Sequence, residues 1–243
     1  ARGGIICNVT PTQLYERLLE ASVVPPIIAK QARAYRYGRG DMQIHIALNE
    51  PPKWRNPKLA HVAMIHLTPG LDGVSKAVNE AERGLLPAEA TVVLAQPTAL
   101  DPSRAPEGKA ILWVQLQELP SIIKGDAAGT IDAPESGQWT EQVRDAYAKR
   151  ILDRIAVHMS NLNPAMLQWR AYSPYDLKAH NINLVGGDPY SGACSLDQFL
   201  FRRPLRATKN HDTPVRNLFH IGASTHPGPG LGGLSGYMVA KKL

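Results

Sequence analysis

The chain has 243 residues, a formal charge of +6 and a pI near 9.4. Hydrophobic residues make up 44% and charged residues 20%, with 20 glycines and 20 prolines, the composition of a loop-rich globular protein with a real core. That favours a loop-rich fold over a helical bundle. No run reaches the roughly 18 apolar residues of a membrane span, and the densest basic run, "FRRPLRATK", reads as a solvated face rather than a nucleic-acid footprint.

The opening "ARGGIICNVTP" lacks an initiator Met and is expected not to be a natural N-terminus. "GGIICNV" reads as a buried strand. Thr10 then caps a helix that carries Pro11 at its first position and Leu14, Leu18 and Leu19 on its apolar face, until "VVPPI" breaks it. In "DMQIHIALNEPP", Met42, Ile44, Ile46 and Leu48 alternate with Gln43, His45 and Ala47, the period of a strand. "HVAMIHLT" and "TVVLAQP" are strands of more continuous apolar character. "AILWVQLQELP" sets Leu112, Val114 and Leu116 against Trp113, Gln115 and Gln117. With a helix at "LDGVSKAVNEAERGL", four such strands predict a sheet covered on one face. "TEQVRDAYAKRILDRIAVHMSNL" is the clearest helix, with Val143, Ala146, Tyr147, Ile151 and Ile155 at helical spacing. "MLQWRAYSPYDLKAH" predicts a strand, a turn and a short helix. The stretch from Asn183 to Arg216 has little regularity. "NLFHIGAS" is a short strand, and a glycine-rich turn leads into a last helix.

That turn admits three readings. Gly230, Gly232 and Gly236 miss the G-x-G-x-x-G spacing by one, and too little chain follows them for a βαβ dinucleotide unit. Ser235 has Gly233 two residues before it but Tyr237 two after, so the G-x-S-x-G nucleophile elbow is not met. A helix start presented to a ligand remains, because such a start leaves N–H groups unpaired and glycines allow close approach. A glycine-rich packing turn without a ligand is the competing reading.

The stretch "NLFHIGASTHPGPGLGGLSG", with "GGDPYSGACSLDQ" and the Arg203–Pro204 pair upstream, resembles the C-terminal FAD-contacting segment of the phytoene desaturase-like flavoproteins of the amine oxidase-like group. The opening "GIICNVTPTQLYERLL" resembles the segment where such chains leave the flavin domain. The resemblance implies a mixed α/β fold. A substrate domain with a mixed or antiparallel sheet backed by helices is joined to the last strand and helix of a Rossmann-like FAD domain whose N-terminal βαβ unit is absent. It implies FAD as cofactor. Gly222, Ala223 and Ser224 would lie by the ribityl–phosphate chain, and Thr225, His226, Pro227 and Gly228 would shape the turn. Gly230 belongs to the same cofactor-binding set, and Gly232, Gly233 and Leu234 would offer backbone N–H groups to the flavin pyrimidine edge. Ala223 stands where the wider amine oxidase group carries an acidic residue, which matches the carotenoid desaturase branch.

The division expected from this likeness is 1–22 with 201–243 for the flavin side and 23–200 for the substrate side. The implied partners are a missing dinucleotide-binding half, on the same gene product or a separate chain, and an apolar small-molecule substrate that gives up a hydride. The alternative is a non-catalytic substrate- or partner-binding module with this fold and no FAD. Localisation is expected in the cytoplasm or at a membrane surface. Cys7 and Cys194 fit no metal or redox spacing and are expected as buried free thiols. The eight histidines form no metal-site pattern and are expected on the surface or hydrogen-bonded in the core; His226, within the turn, is the candidate for positioning near FAD. The four tryptophans are expected in core packing, and strands 42–48 and 110–117 as the floor of a substrate pocket.

Overall fold

A computed structural model describes residues 3–230 and 233–243. In chain order the elements are β1 (Ile5–Asn8), α1 (Pro11–Gln13, continued by a π-helical turn Leu14–Leu18), α2 (Pro26–Arg33), β2 (Gly40–Leu48), β3 (Met64–Leu67), α3 (Leu71–Glu82) and β4 (Leu85–Leu86). There follow β5 (Val92–Ala95), β6 (Ala110–Leu119), β7 (Gly125–Asp126), α4 (Glu141–Ala156), α5 (Leu162–Ala165), β8 (Met166–Tyr172), α6 (Pro174–His180), β9 (Leu218–Ile221) and α7 (Leu234–Ala240). The chain divides into two compact units, one from the termini up to Gly38 and from His180, the other Arg39–Ala179. Both divisions fall further from the termini than 22/23 and 200/201, because α2 and the irregular stretch from His180 belong with the terminal segments.

The central unit is a five-stranded sheet in the order β3-β5-β6-β2-β8, every neighbouring pair antiparallel. Met42, Ile44, Ile46 and Leu48 of β2 and Leu112, Val114 and Leu116 of β6 are all buried, as their alternation requires. Against them α4 packs Val143, Tyr147, Ile151 and Ile155. Ala146 is exposed and Ala148 takes the inward position. Thr140 starts α4 properly: its hydroxyl accepts from the Val143 N–H. Each fully buried Leu or Ile here stabilises by about 1.5–3 kcal/mol, so this core is carried by apolar area. Trp54 and Trp139 lie in it, whereas Trp113 and Trp169 are half-buried.

The terminal unit is built differently. β1 and β9 pair in parallel, Ile5 opposite Leu218 and Ile6 opposite Phe219, joining the two ends of the sequence. β1 is not the buried strand its composition suggests: Ile5 is 51% and Ile6 50% exposed, because among the described residues β9 is its only strand partner. Leu14 is buried in the small apolar cluster of Tyr15, Ile28, Tyr35 and Leu205, but Leu18 is exposed. Thr10 precedes Pro11 as expected, yet its side chain does not cap. Its backbone N–H donates to Asn183 Oδ1 instead. Neither cysteine is buried: Cys7 is half-buried and Cys194 exposed. Among the described residues, no helix is long and apolar enough to cross a membrane.

Candidate functional site

The irregular stretch 183–216 is fixed by two buried charges. The Asp188 carboxylate, fully buried, accepts from the backbone N–H groups of Gly38, Tyr190 and Gly192, each at 2.7 Å. Three such donors compensate a buried carboxylate. Arg203, 1% exposed, donates to the carbonyls of Tyr190 at 2.6 Å, Gly192 at 3.2 Å and Ala223 at 2.9 Å. One guanidinium thus ties the loop after Asp188 to the start of the glycine-rich turn.

The turn itself is knotted to β1. The Val9 carbonyl accepts from His220 Nε2 at 2.7 Å and from the Ser224 hydroxyl at 3.0 Å. Burial pushes the His220 imidazole down to about 4, so the ring is neutral at pH 7. His211 lies against the same segment, its Nδ1 donating to the His220 carbonyl at 3.0 Å. Thr225 folds its hydroxyl back onto the Gly222 carbonyl at 2.8 Å, and the Gly222 N–H donates to Ser235 Oγ at 3.0 Å. Gly222 has φ 104°, and a Cβ there would lie 2.1 Å from Asn8 Oδ1.

These contacts sort the expected cofactor residues. Gly222, Ala223, Ser224 and Thr225 have side-chain or backbone groups spent on holding the turn, and Ser224 and Thr225 are buried. His226 and Pro227 are half-buried within it. Gly230 and Gly233 are open: among the described residues, a Cβ at either would meet nothing within 4 Å. Gly233 has φ 58°, in the left-handed region, and stands at the N-cap of α7, where Leu234 is 46% exposed. Gly232 lies outside the described residues. α7 is only seven residues long. The open backbone at Gly230 and Gly233 therefore matters more than a helix dipole.

A second feature lies in the central unit. On the sheet face away from the α4 core, His45, Ala47, Ile111, Trp113, Gln168 and Arg170 line a mostly apolar cleft of about 330 Å³. The floor of this cleft is the polar–aromatic side of strands 42–48 and 110–117. Their apolar side is core.

The chain is 28% identical over 207 residues to the pyridine nucleotide-disulfide oxidoreductase domain-containing protein 2 of Rattus norvegicus, covering 82% of this chain and 34% of that protein. It is 29% identical over 210 residues to a lycopene-forming phytoene desaturase of Paracoccus, covering 86% and 37%. The chain is thus similar to phytoene desaturases. It spans about a third of the length of these relatives. No family model matches. An oxidoreductase crystal structure from Methanosarcina mazei superposes at a TM-score of 0.48 with 14% identity, over 98% of this chain and 42% of that one. In this chain, Asp188, Arg203 and His220 organise the site. The sequence signals for the first two, "GGDPYSG" and "RP", carry the resemblance without revealing their contacts.

Proposed function

We propose that the chain forms part of an FAD-dependent oxidoreductase, comprising the substrate-side sheet and the closing turn of the flavin side. The observation that carries the reading is the turn of residues 222–234. Buried polar groups hold its first residues, 222–225, while among the described residues its glycines at 230 and 233 are left uncovered. A pure packing turn has no need of uncovered glycines beside such an anchor.

FAD, when bound, would supply the acceptor for the hydride, and the proton lost from the neighbouring carbon or nitrogen would leave to solvent or a nearby polar group. Gly230, Gly233 and Leu234 would hold the cofactor through the backbone, with His226 and Pro227 shaping the approach and Gly222–Thr225 keeping the turn in place. Gly232 belongs to the same set by its position in the sequence. The sheet-face cleft would bind an apolar substrate and exclude water from it. The substrate would be dehydrogenated at a C–C or C–N bond. The dinucleotide-binding half would add to β1. The far edge of β9 is already bridged by Asp212, and the N–H of His220 donates to the His211 carbonyl there. The open edge is therefore that of β1, where Ile5 and Ile6 stand half exposed.

The test is reconstitution. The chain is expressed with a dinucleotide-binding half, loaded with FAD and mixed anaerobically with apolar alkenes and amines. Bleaching of the flavin by one of these classes is the expected result. A loaded, folded complex that no apolar substrate reduces would contradict the reading.

A further inference from the structure

The sheet-face cleft carries one feature that hydrocarbon binding leaves unexplained. On adjacent strands Trp113, His45 and Arg170 stand side by side across β6, β2 and β8, since His45 pairs with Trp113 on one side and Arg170 on the other. Arg170 lies over the Tyr172 ring with its Cζ 5.0 Å from the centroid, and His45 meets the same ring edge-on at 5.8 Å. The guanidinium of this exposed residue thus stacks over an aromatic face at cation–π distance. Among the described residues no carboxylate lies within ion-pair distance of it, whereas Arg36, Arg39, Arg144 and Arg150 each have one. Burial lowers the His45 pKa, so that ring is neutral at pH 7 and Arg170 is the single cation of the lining. No acidic residue lines the cleft.

We infer that the cleft binds an elongated apolar molecule that ends in a carboxylate, with Arg170 as the anchor for that end and Trp113, Ile111 and Ala47 as the apolar floor. The guanidinium fork matches a carboxylate in two parallel hydrogen bonds, and an anion beside apolar walls completes an otherwise unpaired charge. Gln168, exposed at the rim, offers a further donor. The volume is at the small end of ligand pockets, about 300–1,000 Å³, which suits one chain of modest length. This deepens the proposed apolar-substrate reading and rests on it.

The full chain is titrated calorimetrically, below their aggregation limits, with dodecanoate, dodecan-1-ol and dodecyltrimethylammonium. Dodecanoate is expected to bind at least tenfold more tightly than the alcohol, and the cation most weakly. Arg170→Gln should bring dodecanoate to within twofold of the alcohol, Arg170→Lys should keep part of the preference, and Trp113→Ala should weaken both ligands alike. Thermal unfolding, expected unchanged for variants of the exposed Arg170, separates binding loss from misfolding. Equal binding of dodecanoate and dodecanol, or a preference that survives Arg170→Gln, would overturn the anionic anchor alone. No binding of any of the three would overturn the apolar cleft as well.

Discussion

The two units solve the same problem with different chemistry. The central unit buries alternating Ile, Leu and Val side chains of β2 and β6 against α4. The terminal unit is held by Asp188, Arg203, His220 and Ser224, all almost fully buried polar groups, of which His220 and Ser224 reach Val9 more than two hundred residues away in the chain. An apolar core tolerates small shifts, because its driving force has no direction. A polar knot does not, because a donor displaced by an ångström leaves its acceptor unsatisfied. The rigid knot sits under the turn proposed to meet a cofactor, and the apolar core sits under the cleft proposed to take a substrate.

The sharpest way to break this contrast is Arg203→Met. It removes the guanidinium hydrogen bonds to the carbonyls of Tyr190, Gly192 and Ala223. The terminal unit should lose about 3–5 kcal/mol, since each buried acceptor left unsatisfied costs about 1–3 kcal/mol. Hydrogen exchange should show the loss in β9 amides and leave β6 amides unchanged.

pH should move the two units in opposite directions. The folded His220 value, about 4, lies below that of the free side chain. Acidification from neutrality therefore protonates the unfolded state first, and stability present above about pH 6.5 is lost as the pH falls toward 4. That loss amounts to about 3 kcal/mol at 1.36 kcal/mol per unit. Asp41 behaves inversely. Burial raises its carboxyl to about 7, against help from Gln115 and with the Glu118 charge adding to the rise. Its contribution is complete below about pH 4 and is lost as the pH rises through 7, about 4 kcal/mol in all. Between pH 7 and 5 the exchange protection of β9 should fall while that of β2 rises. A common direction for both would contradict the assignment.

Leu112→Ala sharpens the contrast from the other side. It should cost the central unit about 2–4 kcal/mol, the range for emptying a buried Leu position, with denaturant unfolding of the terminal unit unaffected. The smallest effect is expected at glycine. Gly222→Ala combines φ 104° with a Cβ against Asn8 Oδ1, so thermal unfolding should show about 1–3 kcal/mol lost. Gly233→Ala, with φ 58° and open space, should lose only about 1 kcal/mol.

What could be read in the sequence follows the same division. The strands and α4 of the central unit are legible because their packing imposes a period, and Thr140 marks the start of α4. The two-residue β4 and β7 have no period to read. They depend on Arg150 pairing with Asp126 across the fold. α2 is hidden because Pro25–Pro26 reads as a break, whereas Pro26 occupies the first turn of a new helix. In the candidate turn, the glycines are visible but their division of labour is not. Which backbone groups are spent and which are open is decided by Val9, Asn8 and Arg203, residues far away in the chain. The exposed β1 likewise reads as buried from its Ile-Ile-Cys composition, because composition does not reveal how many strands flank it.

The most direct measurement is FAD occupancy by visible absorbance, for the chain alone, for the chain joined by a dinucleotide-binding half, and for that pair carrying Gly233→Val. The chain alone should be colourless and bind added FAD weakly. The pair should be yellow with near-stoichiometric flavin, and Gly233→Val should remove most of the flavin from a complex that still folds and associates. A folded, associated pair that stays colourless, or one that keeps full occupancy with Val at 233, would contradict the account.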